Sequence, residues 1–302
     1  MIEISQLAKQ AGFHACFVLP PDPFIHYKRR LKDGVLAMAG KNLCVNPRSE
    51  YPWANALLLL IYGYHPYPKN SGVSGNYPAS NIAYRSVKRL IPLLAEHGVR
   101  GERVYVPIRE MALRHGIGVA CKNGLTAYDG YGTRVVVQTL VASIPDVVYE
   151  PIRPERSCQN CGACARACPS HAISKDGYDV TKCARAYMGK ETMPEWAMAS
   201  MTSLLGCEVC QFVCPMNGEV PIEEVVPEAF DLEKILSGQV KPVLEIVGTN
   251  LNSGGRILCH AAVLAGKQGR RDLLPNLQAL LDDHREQVKV AAKYAISLLQ
   301  DS

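Results

Sequence analysis

The stretch CQNCGACARACP, residues 158–169, decides how this chain is to be read. Its spacing, C-x2-C-x2-C-x3-C-P, places the thiolates of Cys158, Cys161 and Cys164 on one tight loop around a corner of an iron–sulfur cube. The fourth cysteine, Cys168, at the expected start of a helix, points away and ligates a different cube, so the loop predicts a second, reciprocal cysteine set. That set follows as Cys207, Cys210 and Cys214 ahead of Pro215, with the spacing C-x2-C-x3-C-P. Leu204 stands where a further cysteine would complete the repeat, and Cys183 is free to supply the missing ligand. By exchange, one cluster takes Cys158, Cys161, Cys164 and Cys214, and the other takes Cys168, Cys183, Cys207 and Cys210. Structural zinc is the rival reading of the C-x2-C pairs, but zinc has no use for two Cys-Pro endings at x3 spacing. Disulfides are disfavoured by the same density of C-x2-C without a signal peptide at Met1. The remaining cysteines, Cys16, Cys44, Cys121 and Cys259, are scattered and read as packed thiols.

The cluster loops account for only the middle of the chain. Hydrophobic residues make up 48% and charged residues 20% of 302, an ordinary globular balance. The longest apolar run, from Ala54 to Tyr62, has the length of a buried strand and falls far short of a membrane span. A net charge of +5 permits an anionic partner such as RNA without requiring one. A chain this long is expected to form two or three domains.

Before the cysteines, helix and strand signals alternate. Ile4 to Ala11 reads as a helix closed by Gly12, His14 to Leu19 as a strand stopped by Pro20 and Pro21, and Ala56 to Tyr64 as a strand buried on both faces. Asn81 to Gly98 reads as a helix with Pro92 inside it, Val104 to Pro107 as a short strand, and Arg109 to Gly116 as a helix. A glycine-bounded loop runs from Gly118 to Gly124. The segment from Thr133 to Ser143 fits strand or helix equally. The alternation implies an α/β or α+β domain whose sheet is covered by helices. Glu219 to Leu236 looks like a linker with short helices. From Gly255 the pattern becomes helical, and RILCHAAVLAGK, LLPNLQALLDD and EQVKVAAKYAISLL carry apolar residues at i, i+3, i+4 and i+7. These segments read as HEAT-type repeats or, alternatively, as a short helical cap.

Taken together, these segments resemble the epoxyqueuosine reductase family. The resemblance is carried by Asn46-Pro47-Arg48 ahead of the Leu57–Tyr64 strand; by Gly116-Ile-Gly118 with Lys122-Asn123-Gly124-Leu125; by Gly132-Thr133; and by Lys182-Cys183-x3-Tyr187 leading to Cys207-x2-Cys210-Gln211-x2-Cys214-Pro215-x-Asn217. The last string is the most specific, because neither Gln211 nor Asn217 is needed for cluster binding as such. The resemblance implies an α+β chain: an α/β-type cobalamin-binding domain over 1–150, a ferredoxin-like two-cluster module over 151–220, and a linker with HEAT-like helices over 221–302. It implies a cobalamin-dependent reductase converting epoxyqueuosine to queuosine in tRNA, with electrons from a flavodoxin or ferredoxin. Such a protein is expected in the cytoplasm as a monomer with no membrane attachment. Cobalamin contact carries over to Arg48, Thr126 and Val137, with Lys122 and Asn123 beside them, and base-off binding without a protein ligand is expected. The glycine loop is expected to let backbone approach the flat macrocycle.

The sequence departs from the family where substrate is handled. The family's catalytic aspartate segment reads here Glu102-Arg-Val-Tyr105-Val-Pro107-Ile-Arg109-Glu110, without an aspartate. The aspartate and histidine that recognise the base align with Asn81 and Ala83. Tyr105, Tyr64 and Tyr84 are therefore the candidate proton donors, Tyr105 first, aided by a cation such as Arg109 or Arg85. Alternatives that share the cluster signature are a corrinoid reductase acting on a non-tRNA substrate, a plain electron carrier, and a protein that re-reduces a partner's corrinoid. Lys267, Arg270 and Arg271 form a basic turn that is a candidate contact for the tRNA anticodon arm.

Overall fold

The computed structural model describes residues 3–25, 27, 43–189 and 193–300, and the chain divides into two compact units. The first unit comprises residues 1–64, 82–161 and 216–220. Its elements are α1 (Ile4–Gln10), β1 (Ala15–Leu19), the single turn α2 (Pro47–Glu50), β2 (Ala56–Gly63), α3 (Asn76–Glu96, from Ile82 onward), β3 (Arg100–Arg103), α4 (Ile108–Arg114), β4 (Val119–Ala120), β5 (Thr126–Ala127), β6 (Val135–Ser143) and β7 (Arg156–Ser157).

Four strands form the main sheet in the order β1-β2-β6-β3, and every pairing in it is antiparallel. The first unit is therefore α+β rather than of the α/β type, because no parallel crossover joins its principal strands. The central strand β2 carries Leu57, Leu58, Leu59, Leu60 and Ile61, all essentially without solvent exposure. A strand covered on both faces has no reason to alternate, which is why it reads as a continuous apolar run. The ambiguous 133–143 segment is β6, whose partners run from Ala56↔Ala142 to Gly63↔Val135. The predicted strand at Val104–Pro107 is displaced: β3 occupies Arg100–Arg103, and Tyr105 makes only an isolated bridge to Leu43. An edge strand reading RGER buries little and gives no hydrophobic signal to find it by. The 118–124 loop is a small hairpin, with β4 antiparallel to β5 and parallel to β7.

The second unit comprises residues 65–81, 162–215 and 221–302. It contains α5 (Ala163–Ala167), the two-stranded β8 (Ile173–Ser174) and β9 (Gly177–Tyr178), α6 (Ala184–Tyr187), α7 (Glu195–Ala199), α8 (Val209–Phe212), α9 (Leu232–Leu236), α10 (Lys241–Val247), α11 (Arg256–Lys267), α12 (Leu274–Ala279) and α13 (Glu286–Gln300). The helices at 256–267 and 286–300 lie where the apolar periodicity puts them. Ile257, Ala261, Ala262, Val263 and Ala265 on α11 and Val288, Ala292 and Ala295 on α13 are fully enclosed. Gly266 lets the helices close: a Cβ there would stand 2.6 Å from the Ala295 Cα. Among the described residues, no helix is long and apolar enough to cross a membrane.

Candidate functional site

The second unit gathers one complete predicted cysteine set. Helices α5 and α8 pack together, and Cys164, Cys168, Ala172 and Ile173 form a small core flanked by Cys183 and Cys210. The Cys210 thiol is pushed up to about 12, by burial first and then by the neighbouring thiols of Cys207, Cys183, Cys168 and Cys164. Cys207 is raised by the same burial and by Cys183 and Cys168, against a lowering hydrogen bond from the Val209 amide. Buried thiols that oppose one another's ionisation become thiolates only when a cation is placed among them. Cys168, Cys183, Cys207 and Cys210 are thus brought together as the spacing requires. Among the described residues, no three His, Cys, Asp or Glu side chains close around a single metal ion. A cube, which takes its thiolates at four separate corners, does not need them to.

The lead-in to Cys183 explains part of the sequence signature. Asp179 accepts from the Thr181 amide at 2.9 Å and from its hydroxyl at 2.6 Å, fixing a turn over Val180–Lys182. Tyr187 then donates its hydroxyl to the Thr181 carbonyl at 2.9 Å and meets Trp196 edge-on. The tyrosine four residues after Cys183 is therefore a brace for the ligand turn. Cys164 and Cys214 also lie in this unit, whereas Cys158 and Cys161 belong to the first. The Cys158 amide donates to the Ala120 carbonyl at 2.9 Å, continuing the β4–β7 pairing, and its side chain packs beside Val119, Cys121 and Ala127. Cys16, Cys44, Cys121 and Cys259 are all buried, as packed thiols should be.

The first unit holds the candidate cofactor residues. Asn46 caps α2 by accepting from the Ser49 amide, with Pro47 at the first helical position, so the motif ahead of Arg48 is a helix start. Arg48 itself is exposed and pairs with Asp22 at 2.7 Å. Lys122 and Asn123 sit in the β4–β5 turn, where the Asn123 carbonyl oxygen accepts from the Leu125 amide at 3.1 Å. The Asn123 amide nitrogen and the Tyr128 hydroxyl are buried with no hydrogen-bond partner. Burial drives the Tyr128 phenol upward, so it stays a neutral donor. Val137 is half-buried on β6 opposite Ile61.

Two expectations about this region change. Gly116 and Gly118 are not an open cradle: a Cβ on Gly118 would stand 2.3 Å from the Thr126 methyl, and one on Gly116 2.2 Å from the Arg153 carbonyl oxygen. These glycines let the hairpin pack on itself, and Thr126 is part of what fills the space. Arg109 is engaged with backbone carbonyls. Its guanidinium donates to the carbonyls of Gly124 at 3.2 Å, Leu125, and Cys121 at 3.5 Å, clamping the hairpin turn. Arg103 meets two of the tyrosines, its guanidinium 4.6 Å from the Tyr105 ring and 4.9 Å from the Tyr84 ring, and Lys88 Nζ lies 4.7 Å from the Tyr84 ring. Gln138 accepts from Arg103 Nε at 3.1 Å and holds it there. Tyr105 is 51% and Tyr84 38% exposed, whereas Tyr64 is 6% exposed. A reader of the sequence sees Arg103 only as one charge in an unremarked edge strand.

Gly132-Thr133 and Pro215-x-Asn217 turn out to be one feature. The Asn217 carbonyl oxygen accepts from the Thr133 amide at 2.7 Å and from its hydroxyl at 3.2 Å, and its amide donates back to that hydroxyl at 2.9 Å. A Cβ on Gly132 would lie 2.1 Å from the Asn217 carbonyl oxygen. Asn81 and Ala83 are both engaged within the fold. Asn81 donates to the Glu245 and Ile246 carbonyls at 3.4 and 2.9 Å, and Ala83 is fully buried. In the basic turn, Lys267 donates to the Ala199 carbonyl, Arg270 is bound to Asp272 at 2.6–3.1 Å, and Arg271 is exposed.

Comparison with known proteins agrees with this geometry. Residues 157–217 match the family described as the 4Fe-4S double cluster binding domain. A protein of Leadbetterella byssophila named epoxyqueuosine reductase is 27% identical over 243 residues, covering 71% of this chain and 79% of that one. The fold is that of solved epoxyqueuosine reductases. The structure from Streptococcus thermophilus superposes with a TM-score of 0.82 at 18% identity, over 99% of this chain and 90% of that one. A second, solved with an epoxyqueuosine-modified tRNA stem loop, gives 0.75 at 19% identity over 98% of each chain.

Proposed function

We propose that this chain, a relative of the epoxyqueuosine reductases in sequence and fold, is a cobalamin-dependent oxidoreductase supplied with electrons by two [4Fe–4S] clusters. Its substrate on this reading is epoxyqueuosine in tRNA, the compound for which its relatives are named, taken up by an altered substrate site. The observation that carries the proposal is the reach of the sequence match, 71% of the chain, in a protein whose second unit assembles a four-thiol set. An electron carrier alone needs the thiols and has no use for the rest.

On this reading Cys158, Cys161, Cys164 and Cys214 hold one cluster and Cys168, Cys183, Cys207 and Cys210 the other. Arg48, Lys122, Asn123, Thr126 and Val137 hold the corrinoid. The unpartnered Asn123 amide and Tyr128 hydroxyl support a polar ligand on that hairpin, since buried donors are rarely left unsatisfied. When bound, cobalamin supplies a two-electron reductant that no side chain can imitate. The protein contributes binding and a proton. Tyr105 Oη donates that proton, with the Arg103 guanidinium packed against its ring. Tyr84, whose ring also meets Arg103, is the second donor in line, and Tyr64 is too enclosed to compete. A flavodoxin or ferredoxin in the cytoplasm supplies electrons, the C-terminal helices serve as a HEAT-like support for the tRNA anticodon arm, and the protein works as a monomer.

A second reading keeps the chemistry and changes the substrate to a reducible compound outside tRNA. The engagement of Asn81 with backbone carbonyls and the burial of Ala83 favour it, because the Asn81 amide nitrogen is already taken up and Ala83 offers a base no polar group. The experiment is anaerobic reconstitution with iron, sulfide and hydroxocobalamin, followed by quantification after gel filtration. About eight irons and one corrinoid per chain are expected. Eight irons without corrinoid would reduce the protein to an electron carrier. Turnover of a modified stem loop by the loaded protein then separates the two substrate readings.

A further inference from the structure

We propose that Ser170, Tyr178 and Thr202 form a hydroxyl shell around the thiolates of Cys168, Cys183 and Cys207 and raise the reduction potential of the cluster these cysteines hold. The inference rests on the cluster assignment above and deepens it.

Ser170 makes the argument most directly. Its hydroxyl oxygen lies 3.7 Å from the Cys168 sulfur and accepts from the Ala184 amide at 3.4 Å. A hydroxyl has one proton, and a metal-bound thiolate has none, so the proton on Ser170 points to Cys168. The same sulfur accepts from the Ala172 amide at 3.3 Å. Ser170 therefore ties two ligand turns, those of Cys168 and Cys183, through a single oxygen. On Cys183 the donor is the Tyr178 hydroxyl. Tyr178 keeps 42% of its surface exposed, yet its hydroxyl end is desolvated. On Cys207 the Thr202 hydroxyl stands 4.0 Å from the sulfur, alongside the Val209 amide. Thr202 is exposed and its contact the longest, so it contributes least.

When the cube takes up one electron, added negative charge spreads onto its sulfur ligands. Each donor stabilises the reduced form more than the oxidised one, with no proton transferred. Three different residue types from three separate segments converge on three thiolates of one set. This is the outer shell that tunes a metal centre.

The test is an EPR-monitored redox titration of the reconstituted protein, reading both clusters. Ser170→Ala is expected to weaken the reduction equilibrium of one cluster by about tenfold, about 59 mV for a one-electron couple. The other cluster should stay in place and the iron content be unchanged. Ser170→Thr, which retains the hydroxyl, should restore the native value. Tyr178→Phe should move the same cluster in the same direction without touching the Ala184 contact. Full iron content with both potentials unmoved in Ser170→Ala and Tyr178→Phe overturns the shell and leaves the cluster assignment intact. Native protein that takes up no iron overturns both.

Discussion

Removing the side chain of Asn217 should cost the first unit far more than an ordinary polar substitution, although Asn217 lies outside both cysteine sets. In Asn217→Ala, the Thr133 amide and hydroxyl lose their partner at a position where Thr133 is 4% and Asn217 8% exposed. A buried donor left unsatisfied costs about 1–3 kcal/mol, so loss of the Thr133 amide's bond costs about 2 kcal/mol. A surface change stays within about 0.5 kcal/mol. The assay is native-state hydrogen exchange at the Thr133 amide, where about 2 kcal/mol appears as roughly 30-fold faster opening. Gly132→Ala should be as damaging by another route. Its φ of +54° disfavours any side chain, and the new Cβ meets Asn217 Oδ1 at 2.1 Å and the Met216 carbonyl oxygen at 2.2 Å. Because one of those clashes is with Asn217, the double variant should lose less than the sum of the two. Unaltered protection at Thr133 in Asn217→Ala, or strict additivity in the double variant, would refute the coupling of the two motifs.

Tyr105→Phe should leave clusters and corrinoid bound while lowering turnover by at least ~100-fold, and near-normal turnover would pass the role to Tyr84. Arg109→Lys, which lacks the planar fork that spans the hairpin carbonyls, should speed amide exchange over residues 120–127 by about tenfold and weaken corrinoid retention, with iron content unchanged. Burial, with Arg256 assisting against the Met188 carbonyl, holds His260 down at about 4, so the folded protein keeps it neutral while the unfolded chain protonates near 6.5. The sign follows: stability is full above about pH 6.5 and falls by up to about 3 kcal/mol as pH drops toward 4. Urea midpoints across that range should show the slope in native protein and lose most of it in His260→Asn.

The cluster cysteines were legible because their chemistry is local. Ligands for a cube must sit two or three residues apart on a tight turn, and Pro after the last cysteine stops the chain from continuing it. Strand β2 and the helices at 256–267 and 286–300 were legible for a related reason, since period is a property of the chain itself. The edge strand β3 was misplaced because only a buried face writes itself into a sequence, and RGER has little of one.

What only the tertiary structure decided is which side chains meet. Arg109 looked like the cation for a catalytic tyrosine and is the clamp of a hairpin; Arg103, one residue in an edge strand, lies against both Tyr84 and Tyr105. Gly118 looked like room for a ligand and is room for Thr126. Gly132-Thr133 and Asn217 stand 84 residues apart, and no spacing rule relates them. The sequence determines what each segment does to its own backbone, whereas the partners of a guanidinium, a hydroxyl or a missing Cβ are set by long-range packing that appears only when the chain is folded.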